Sequence, residues 1–255
     1  MIRRAWRWTV IACALAFVTL SYTWITLPDV RALKNDPPAT TAFRELRARQ
    51  AEGEGRTLRM QHRWVSYDRI SANLKRAVIV AEDAAFWQHE GLDFDEIRAS
   101  IEVNWMRGEF VRGASTITQQ LAKNLYLSPS RNPYRKVREL LITRRLEAEL
   151  SKRRIFELYL NLIEWGDGIW GAEAAARAHF GVSAAGLSPA QAAMLAGAII
   201  NPRVYSPSRP NARLIRRQNL ILRRMGSVTP PDTPAPPATT PTTPPVIPTI
   251  PIIIR

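Results

Sequence analysis

Two adjacent carboxylates lie in an otherwise apolar stretch of the chain. They are Glu82 and Asp83, in the segment "KRAVIVAEDAAFWQHEGLD" (residues 75–93). If the segment is helical, Ile79 and Phe86 lie at −3 and +4 from Glu82 and share its face. Burial raises the pKa of a carboxyl group towards neutrality, which suits a general base. The residues alone leave two interpretations of Glu82 open: a general base, or a carboxylate paired with an arginine in a structural role.

A second polar surface is predicted on the helix within "RGASTITQQLAKN" (residues 112–124). Thr116 and Gln119 have the spacing of a capping box, which marks a helix start. An apolar stripe follows at four-residue intervals, and a polar face lies beside it, made by Thr116, Gln120, Lys123 and Asn124. This face is either a solvated surface or the lining of a site for a polar, anionic ligand, because helix N-termini and lysines favour phosphates.

A third group of charges follows in "SRNPYRKVRELLITRRLEAEL", which begins at Ser130. Arg135, Lys136 and Glu139 share one face of the predicted helix. Taken alone, such a group is a surface salt bridge that contributes little to stability. It becomes a candidate site only if the fold brings it together with Glu82 and Lys123.

The remaining reactive side chains give no sign of a metal site. His89 and Gly91 predict a helix end and a turn, and we interpret the lone histidine as a cap or core partner. The single cysteine, Cys13, excludes an internal disulfide and a cysteine metal site. No local metal-ligand spacing occurs, so we expect no obligatory cofactor, with a divalent metal (Mg²⁺ or Mn²⁺) as the open alternative.

Charge and hydropathy restrict the partner and the compartment. The net charge of +14 indicates an acidic partner: nucleic acid, an anionic membrane or a phosphorylated substrate. Residues 9–27 carry no charge, are long enough to span a bilayer, and follow Arg3, Arg4 and Arg7. The positive-inside rule then leaves residues 1–8 in the cytoplasm and exports the rest, which argues against nucleic acid. A cleaved signal peptide, with "ALA" at residues 14–16, is the alternative that we do not favour.

The elements that must position these groups are helices. Apolar residues recur at three- and four-residue spacing, which predicts an all-α domain over residues 61–226 after a linker at 28–60. The predicted helices span residues 73–89, 94–107, 115–127, 132–151, 152–164, 171–179, 188–199 and 209–225. Ten of the 19 prolines fall in residues 227–255, which predicts a disordered Pro/Thr-rich tail.

The motifs together resemble a known family. In order, they are "EDAAFWQHEG", "GASTITQQLAKN", "RKVRE" and "KRRIFELYLNLIEWGDGIWGAEAAARAHFG". This set resembles the peptidoglycan glycosyltransferases, and more narrowly the monofunctional biosynthetic transglycosylases, from about Ser66 to Met225. The resemblance implies an all-α, lysozyme-like, multi-helix glycosyltransferase domain behind an N-terminal transmembrane helix in the bacterial plasma membrane.

The resemblance also implies an activity and roles for individual residues. The enzyme would polymerise lipid II into glycan strands with inversion, using lipid II and the lipid-linked growing chain as partners. Glu82 would be the general base, and Glu139 the second catalytic glutamate. The substrate-binding residues would be Asp83, Ser115, Gln119, Gln120, Lys123, Asn124, Arg131, Arg135, Lys136 and Arg138. Binding to other cell-wall synthesis proteins is left open.

Alternatives remain at this stage. A glycan-cleaving enzyme of the same fold would lyse wall and ignore lipid II, and a membrane-anchored scaffold would lack Glu82 or Glu139. The chain has no serine–x–x–lysine or Lys-Thr-Gly signature, which excludes a penicillin-binding transpeptidase. A further hypothesis places Trp105, Met106, Phe110 and Val111, beside Arg107 and Arg112, in the membrane interface, with core packing as the alternative.

Overall fold

The structure is a computed structural model that describes residues 2–57, 59–109, 113–128 and 132–227. The predicted tail from residue 228 onward lies outside the described residues. The helices are α1 (Ile2–Ile25), α2 (Ala42–Gly53), α3 (Ala72–Glu82), α4 (Phe94–Arg107), α5 (Ile117–Tyr126), α6 (Pro133–Glu149), α7 (Lys152–Leu162), α8 (Ala172–Phe180), α9 (Pro189–Ala198) and α10 (Ala212–Arg224). Three short strands are β1 (Gln61–His62), β2 (Glu164–Gly166) and β3 (Ile169–Trp170).

Helix α1 is a candidate membrane span. Its segment Trp6–Ile25 has 20 residues and is almost entirely exposed. At 1.5 Å per residue it is about 30 Å long, the thickness of a hydrocarbon core. The predicted apolar anchor helix is therefore present. Short helical pieces follow it, at Arg31–Lys34 and in α2, and they bury Leu33 and Ala51.

The predicted helix at residues 73–89 is wrong in its second half. Helix α3 ends at Glu82, and Asp83 leaves helical geometry with φ −166° and ψ 81°. The Asp83 carboxylate contacts groups outside α3, and Phe86 packs against Phe156 in the core at a ring-centroid distance of 5.4 Å. Glu82 is thus the last residue of a helix, and it does not share a helix face with Phe86.

The other seven predicted helices are confirmed to within three residues at each end. The capping box of Thr116 and Gln119 is present at the start of α5. A second capping box, formed by Ser188 and Gln191, starts α9. In both, the side chains accept from or pair with backbone N–H groups that a helix start leaves unpaired. This is why these helix starts can be predicted from the sequence.

Helix α7 lies at the centre of the core. All but one of the residues from Ile155 to Leu162 are buried, and α5 packs along this helix. Helices α3, α9 and α10 form a second packed layer. The strands make a small sheet in the order β1–β3–β2, with β1 parallel and β2 antiparallel to β3. Strands of two or three residues are too short to show alternation, so the sequence did not predict them.

Candidate active site

Glu82 ends α3 with its carboxylate between two other helices. The side chain is 11% exposed. Gln120 Nε2 of α5 donates to Glu82 Oε2 at 2.9 Å, and an Arg217 guanidinium nitrogen of α10 lies 3.4 Å from Oε1. Burial raises the pKa of Glu82, while Gln120, Arg217 and Lys123 act to lower it. A carboxylate whose pKa is raised is a stronger base, which suits a general base.

Asp83 fixes the position of α5 relative to Glu82. Its Oδ2 accepts the N–H of Ile117, the first residue of α5, at 2.9 Å, where a negative charge also favours the helix dipole. His89 Nε2 lies 2.9 Å from Asp83 Oδ1, and His89 Nδ1 accepts the N–H of Gly91 at 3.1 Å. Because Nδ1 is an acceptor, Nε2 carries the proton towards Asp83. His89 is therefore a core partner, and Asp83 is 8% exposed.

The polar face of α5 divides into groups with different environments. Gln120 reaches Glu82, and exposed Ser115 lies just before the helix. Gln119 is 4% exposed and its Oε1 accepts the N–H of Thr116 at 3.0 Å, so it caps the helix. Asn124 is 8% exposed and donates to the carbonyl of Gln120 at 2.8 Å.

Glu139 lies among cations on α6. Its side chain is 4% exposed and pairs with Arg135 at 2.6 Å and with Lys136. Lys136 remains 52% exposed, so its ammonium group faces solvent while it contacts Glu139. Arg135 and Lys136 therefore both contact Glu139 along α6.

Lys123 connects this cluster to Glu82 electrostatically. Burial lowers the pKa of Lys123, whereas the charges of Glu139 and Glu82 raise it. Arg135 and Lys136 act in the same direction as burial. Two carboxylates and three cations therefore share one electrostatic environment.

Two of the predicted substrate-binding residues, Arg138 and Arg131, are not described as part of this site. The guanidinium of Arg138 donates to Thr26 Oγ1 at 2.8 Å and to the Thr26 carbonyl at 3.0 Å, so it contacts the end of α1. Arg131 lies outside the described residues, as do Phe110, Val111 and Arg112.

A cleft opens beside Glu82. Its volume is about 780 Å³. Glu82, Asp83, Ser115 and Thr116 line one side, and Arg217 and Arg224 of α10 line another. The first turn of α4 adds a group of acidic side chains, Asp93, Asp95 and Glu96. Among the described residues, no group of three or more His, Cys, Asp and Glu side chains is arranged to hold a metal ion.

An apolar surface on α4 borders this region. Trp105 is 86% exposed and Met106 is 69% exposed, so core packing is wrong for these two residues. Phe94 and Ile101 of the same helix are also exposed, at 70% and 63%. Large exposed apolar surfaces mark sites of interaction with proteins or membranes.

Comparison with known proteins gives the family. The transglycosylase family model matches residues 51–226. The chain is 49% identical to the biosynthetic peptidoglycan transglycosylase of Laribacter hongkongensis, over 88% of this chain and 99% of the relative. Those of Methylobacillus flagellatus and Thiobacillus denitrificans are each 48% identical, over 86% and 90% of this chain and 95% and 99% of their own. The chain belongs to the biosynthetic peptidoglycan transglycosylase family. The expected all-α, lysozyme-like fold is confirmed with it.

Two residues of the candidate site were not predicted from the sequence. Arg217 contacts Glu82 from 135 positions away, and Tyr159 donates to Gln120 Oε1 at 2.9 Å. Arg217 lies in "RLIRRQNLILRR", where nothing distinguishes it from the neighbouring arginines. Tyr159 has the spacing of a core residue of α7 and is fully buried. Only its hydroxyl, in a buried position that requires a partner, could have indicated a polar role.

Proposed function

We propose that the protein polymerises lipid II into glycan strands for cell-wall synthesis, with Glu82 as general base. Glu82 takes the proton of the acceptor 4-hydroxyl as that oxygen forms a bond to the anomeric carbon of the lipid-linked chain. The bond from this carbon to the pyrophosphate oxygen breaks, and the lipid pyrophosphate leaves with the electron pair. Attack opposite the leaving group inverts the configuration at the anomeric carbon.

The observation that carries this proposal is the pairing of one buried carboxylate with several cations. Glu82 has a raised pKa and lines the cleft, Lys123 is influenced by the charges of both Glu82 and Glu139, and Glu139 pairs with Arg135 and Lys136. A hydrolase of sugar–sugar bonds needs an acid to protonate a poor leaving group. A pyrophosphate leaves as a stable anion, so the site needs positive charge more than a proton. The arrangement therefore favours transfer over glycan cleavage.

The other predicted site residues receive roles that follow from their contacts. Lys123, Lys136 and Arg135 are proposed to bind the pyrophosphate, and Glu139 to hold these cations in place. Ser115 and Gln120 are proposed to contact sugar, since Ser115 lines the cleft and Gln120 donates to the Glu82 carboxylate. Asp83, Gln119 and Asn124 are proposed to support the site through α5.

We place the protein in the plasma membrane, with residues 1–8 cytoplasmic and the catalytic domain outside. Arginines precede an apolar helix of sufficient length, which supports this orientation. The exposed apolar residues of α4 would then contact the bilayer, where a lipid-linked substrate resides. We further propose the domain limits 9–27 for the span, 28–60 for the linker and 61–226 for the catalytic domain, with 227–255 as a tail.

The test is polymerisation of labelled lipid II by the detergent-solubilised protein and by Glu82→Gln. Long strands from the wild type and none from Glu82→Gln are expected, because the amide cannot accept the proton. Glu45→Gln makes the same change on an exposed face of α2 and should leave turnover intact. Lysis of isolated wall without use of lipid II would support the glycan-cleaving alternative. Lipid II binding without product from the wild type would support the scaffold.

The same assay tests the cofactor expectation. Turnover is expected to persist after chelator treatment. Loss of turnover on chelation, with recovery on adding Mg²⁺ or Mn²⁺, would contradict that expectation and assign a metal-dependent step.

A further inference from the structure

A hydrogen-bonded chain runs from the core of the domain to the proposed base. The hydroxyl of Tyr159, on the central helix α7, donates to Gln120 Oε1 at 2.9 Å. Gln120 Nε2 then donates to Glu82 Oε2 at 2.9 Å. Tyr159 is fully buried and Gln120 is partly buried, so both bonds are partly shielded from solvent.

The partners of Gln120 determine which way its amide faces. Its NH₂ group is directed to Glu82 and, at 3.4 Å, to the carbonyl oxygen of Ser115, which only accepts. Its oxygen is directed to the Tyr159 hydroxyl. Rotating the amide by 180° would place its oxygen against a carboxylate and a carbonyl, and would separate it from its donor.

We propose that Tyr159 is a positioning residue that holds the Gln120 amide with its NH₂ group towards Glu82, so that the base is maintained in its ionised form. This inference rests on the proposed function, in which Glu82 accepts the acceptor proton. An N–H donor stabilises the carboxylate and offers nothing to the protonated acid. After proton transfer the acid would be better served by a carbonyl acceptor. The Tyr159 hydroxyl opposes that rotation and so favours loss of the accepted proton from Glu82.

Other charged groups act on Glu82 and must be held constant in a test. Arg217 of α10 and Lys123 of α5 favour its ionised form, and the neighbouring Asp83 disfavours it. Tyr159 itself remains a neutral hydroxyl, because burial raises its pKa well above its ordinary value, with Glu82 and Asp83 adding to the effect. It therefore keeps the proton that it donates to Gln120 Oε1.

The experiment measures the protonation of Glu82 directly, by ¹³C NMR titration of its side-chain carboxyl in the full-length, detergent-solubilised protein. The resonance is assigned by its loss in Glu82→Gln. In Tyr159→Phe the Gln120 oxygen has lost its donor, so once Glu82 is protonated the amide can rotate and accept the acid O–H, which stabilises the protonated form. The titration midpoint is expected to rise by about half to one pH unit, within the range that hydrogen bonds produce.

Two controls separate positioning from packing. Tyr67→Phe removes the hydroxyl of another buried tyrosine, whose ring packs on Phe156 at 6.2 Å, and should leave the midpoint unchanged. In a Gln120→Leu background, Tyr159→Phe should have no further effect, since the amide through which it acts is gone. An unchanged midpoint in Tyr159→Phe, or an equal shift with and without Gln120, would overturn the inference.

Turnover is measured alongside to distinguish this inference from the proposed function. The acidic limb of kcat/KM against pH in Tyr159→Phe should follow the shifted midpoint, with activity recovering above it. A uniform loss at every pH with no limb shift would mean a structural role only. If Glu82→Gln still polymerises lipid II, the proposed function fails, whatever the titration shows.

Discussion

Replacing Arg217 by glutamine should move the pH dependence of turnover without removing turnover. The guanidinium lies 3.4 Å from the Glu82 carboxylate, and the Arg217 side chain is 31% exposed. Two unit charges about 4 Å apart interact by roughly 1 kcal/mol in water and about 4 kcal/mol near a protein surface. Solvent screening at a partly exposed side chain reduces this to about 1–1.5 kcal/mol. That is about one pH unit.

The sign follows from the role of Glu82 as a base. Burial already raises the pKa of Glu82, and loss of a cation raises it further because the ionised form loses its partner. The base must be ionised to accept a proton. At pH values below the midpoint of the acidic limb, kcat/KM of Arg217→Gln should therefore be about tenfold lower than that of the wild type. This is the effect of raising the pKa of Glu82 by about one unit. Above the limb, activity should return to the wild-type value.

The assay is kcat/KM for labelled lipid II polymerisation across the acidic limb. Arg213→Gln is the matched control, because Arg213 is exposed on the same helix and, unlike Arg217, is not among the residues that line the cleft beside Glu82. It should leave the limb in place. An equal loss at every pH in Arg217→Gln would refute the reasoning and would assign Arg217 to substrate binding.

Two further predictions concern the fold and the membrane. Gly171→Ala should lower the free energy of unfolding by about 3 kcal/mol or more, because φ is +81° and the new Cβ would lie 2.7 Å from the backbone oxygen of Asn161. Gly181→Ala, with φ +71° and open space, should lower it by only about 1 kcal/mol, and equal losses in urea denaturation would contradict the steric argument. Anionic vesicles should shift the fluorescence of Trp105, which is 86% exposed. No difference from a Trp105→Phe control would exclude membrane contact there.

Features encoded within a few residues were predictable. The capping boxes at Thr116 and Ser188 mark helix starts through contacts only three residues apart. Arg135, Lys136 and Glu139 lie within one helical turn and a half, so their mutual contact follows from helix geometry. Spacing alone left two roles open for Glu82, a base and a structural pair, because the groups that contact its carboxylate come from α5 and α10.

Features that depend on distant residues were not predictable. The end of α3 at Glu82 depends on Asp83, whose carboxylate binds the N–H of Ile117, 34 positions away. Arg217 and Tyr159 reach the site from 135 and 39 positions along the chain, the latter through Gln120. Periodicity describes the face of one helix and holds no information on which helices meet. The apolar pattern continues through Phe86 and therefore predicted a longer helix. In the structure, the contact of Asp83 with α5 accompanies the end of α3 at Glu82.

Helix α6 links the proposed pyrophosphate site to the end of α1, the candidate membrane helix. Tyr134 OH lies 2.9 Å from Thr23 Oγ1, Arg138 binds Thr26, and Arg145 donates to the carbonyl of Pro28 at 3.1 Å. These three residues of α6 span about 16 Å along the helix. Glu139 and its cations lie on the same helix, so in the proposed membrane orientation these contacts set their height above the bilayer. A lipid-linked donor keeps its tail in the bilayer and presents its pyrophosphate at a fixed depth, which is the geometry that such an attachment favours.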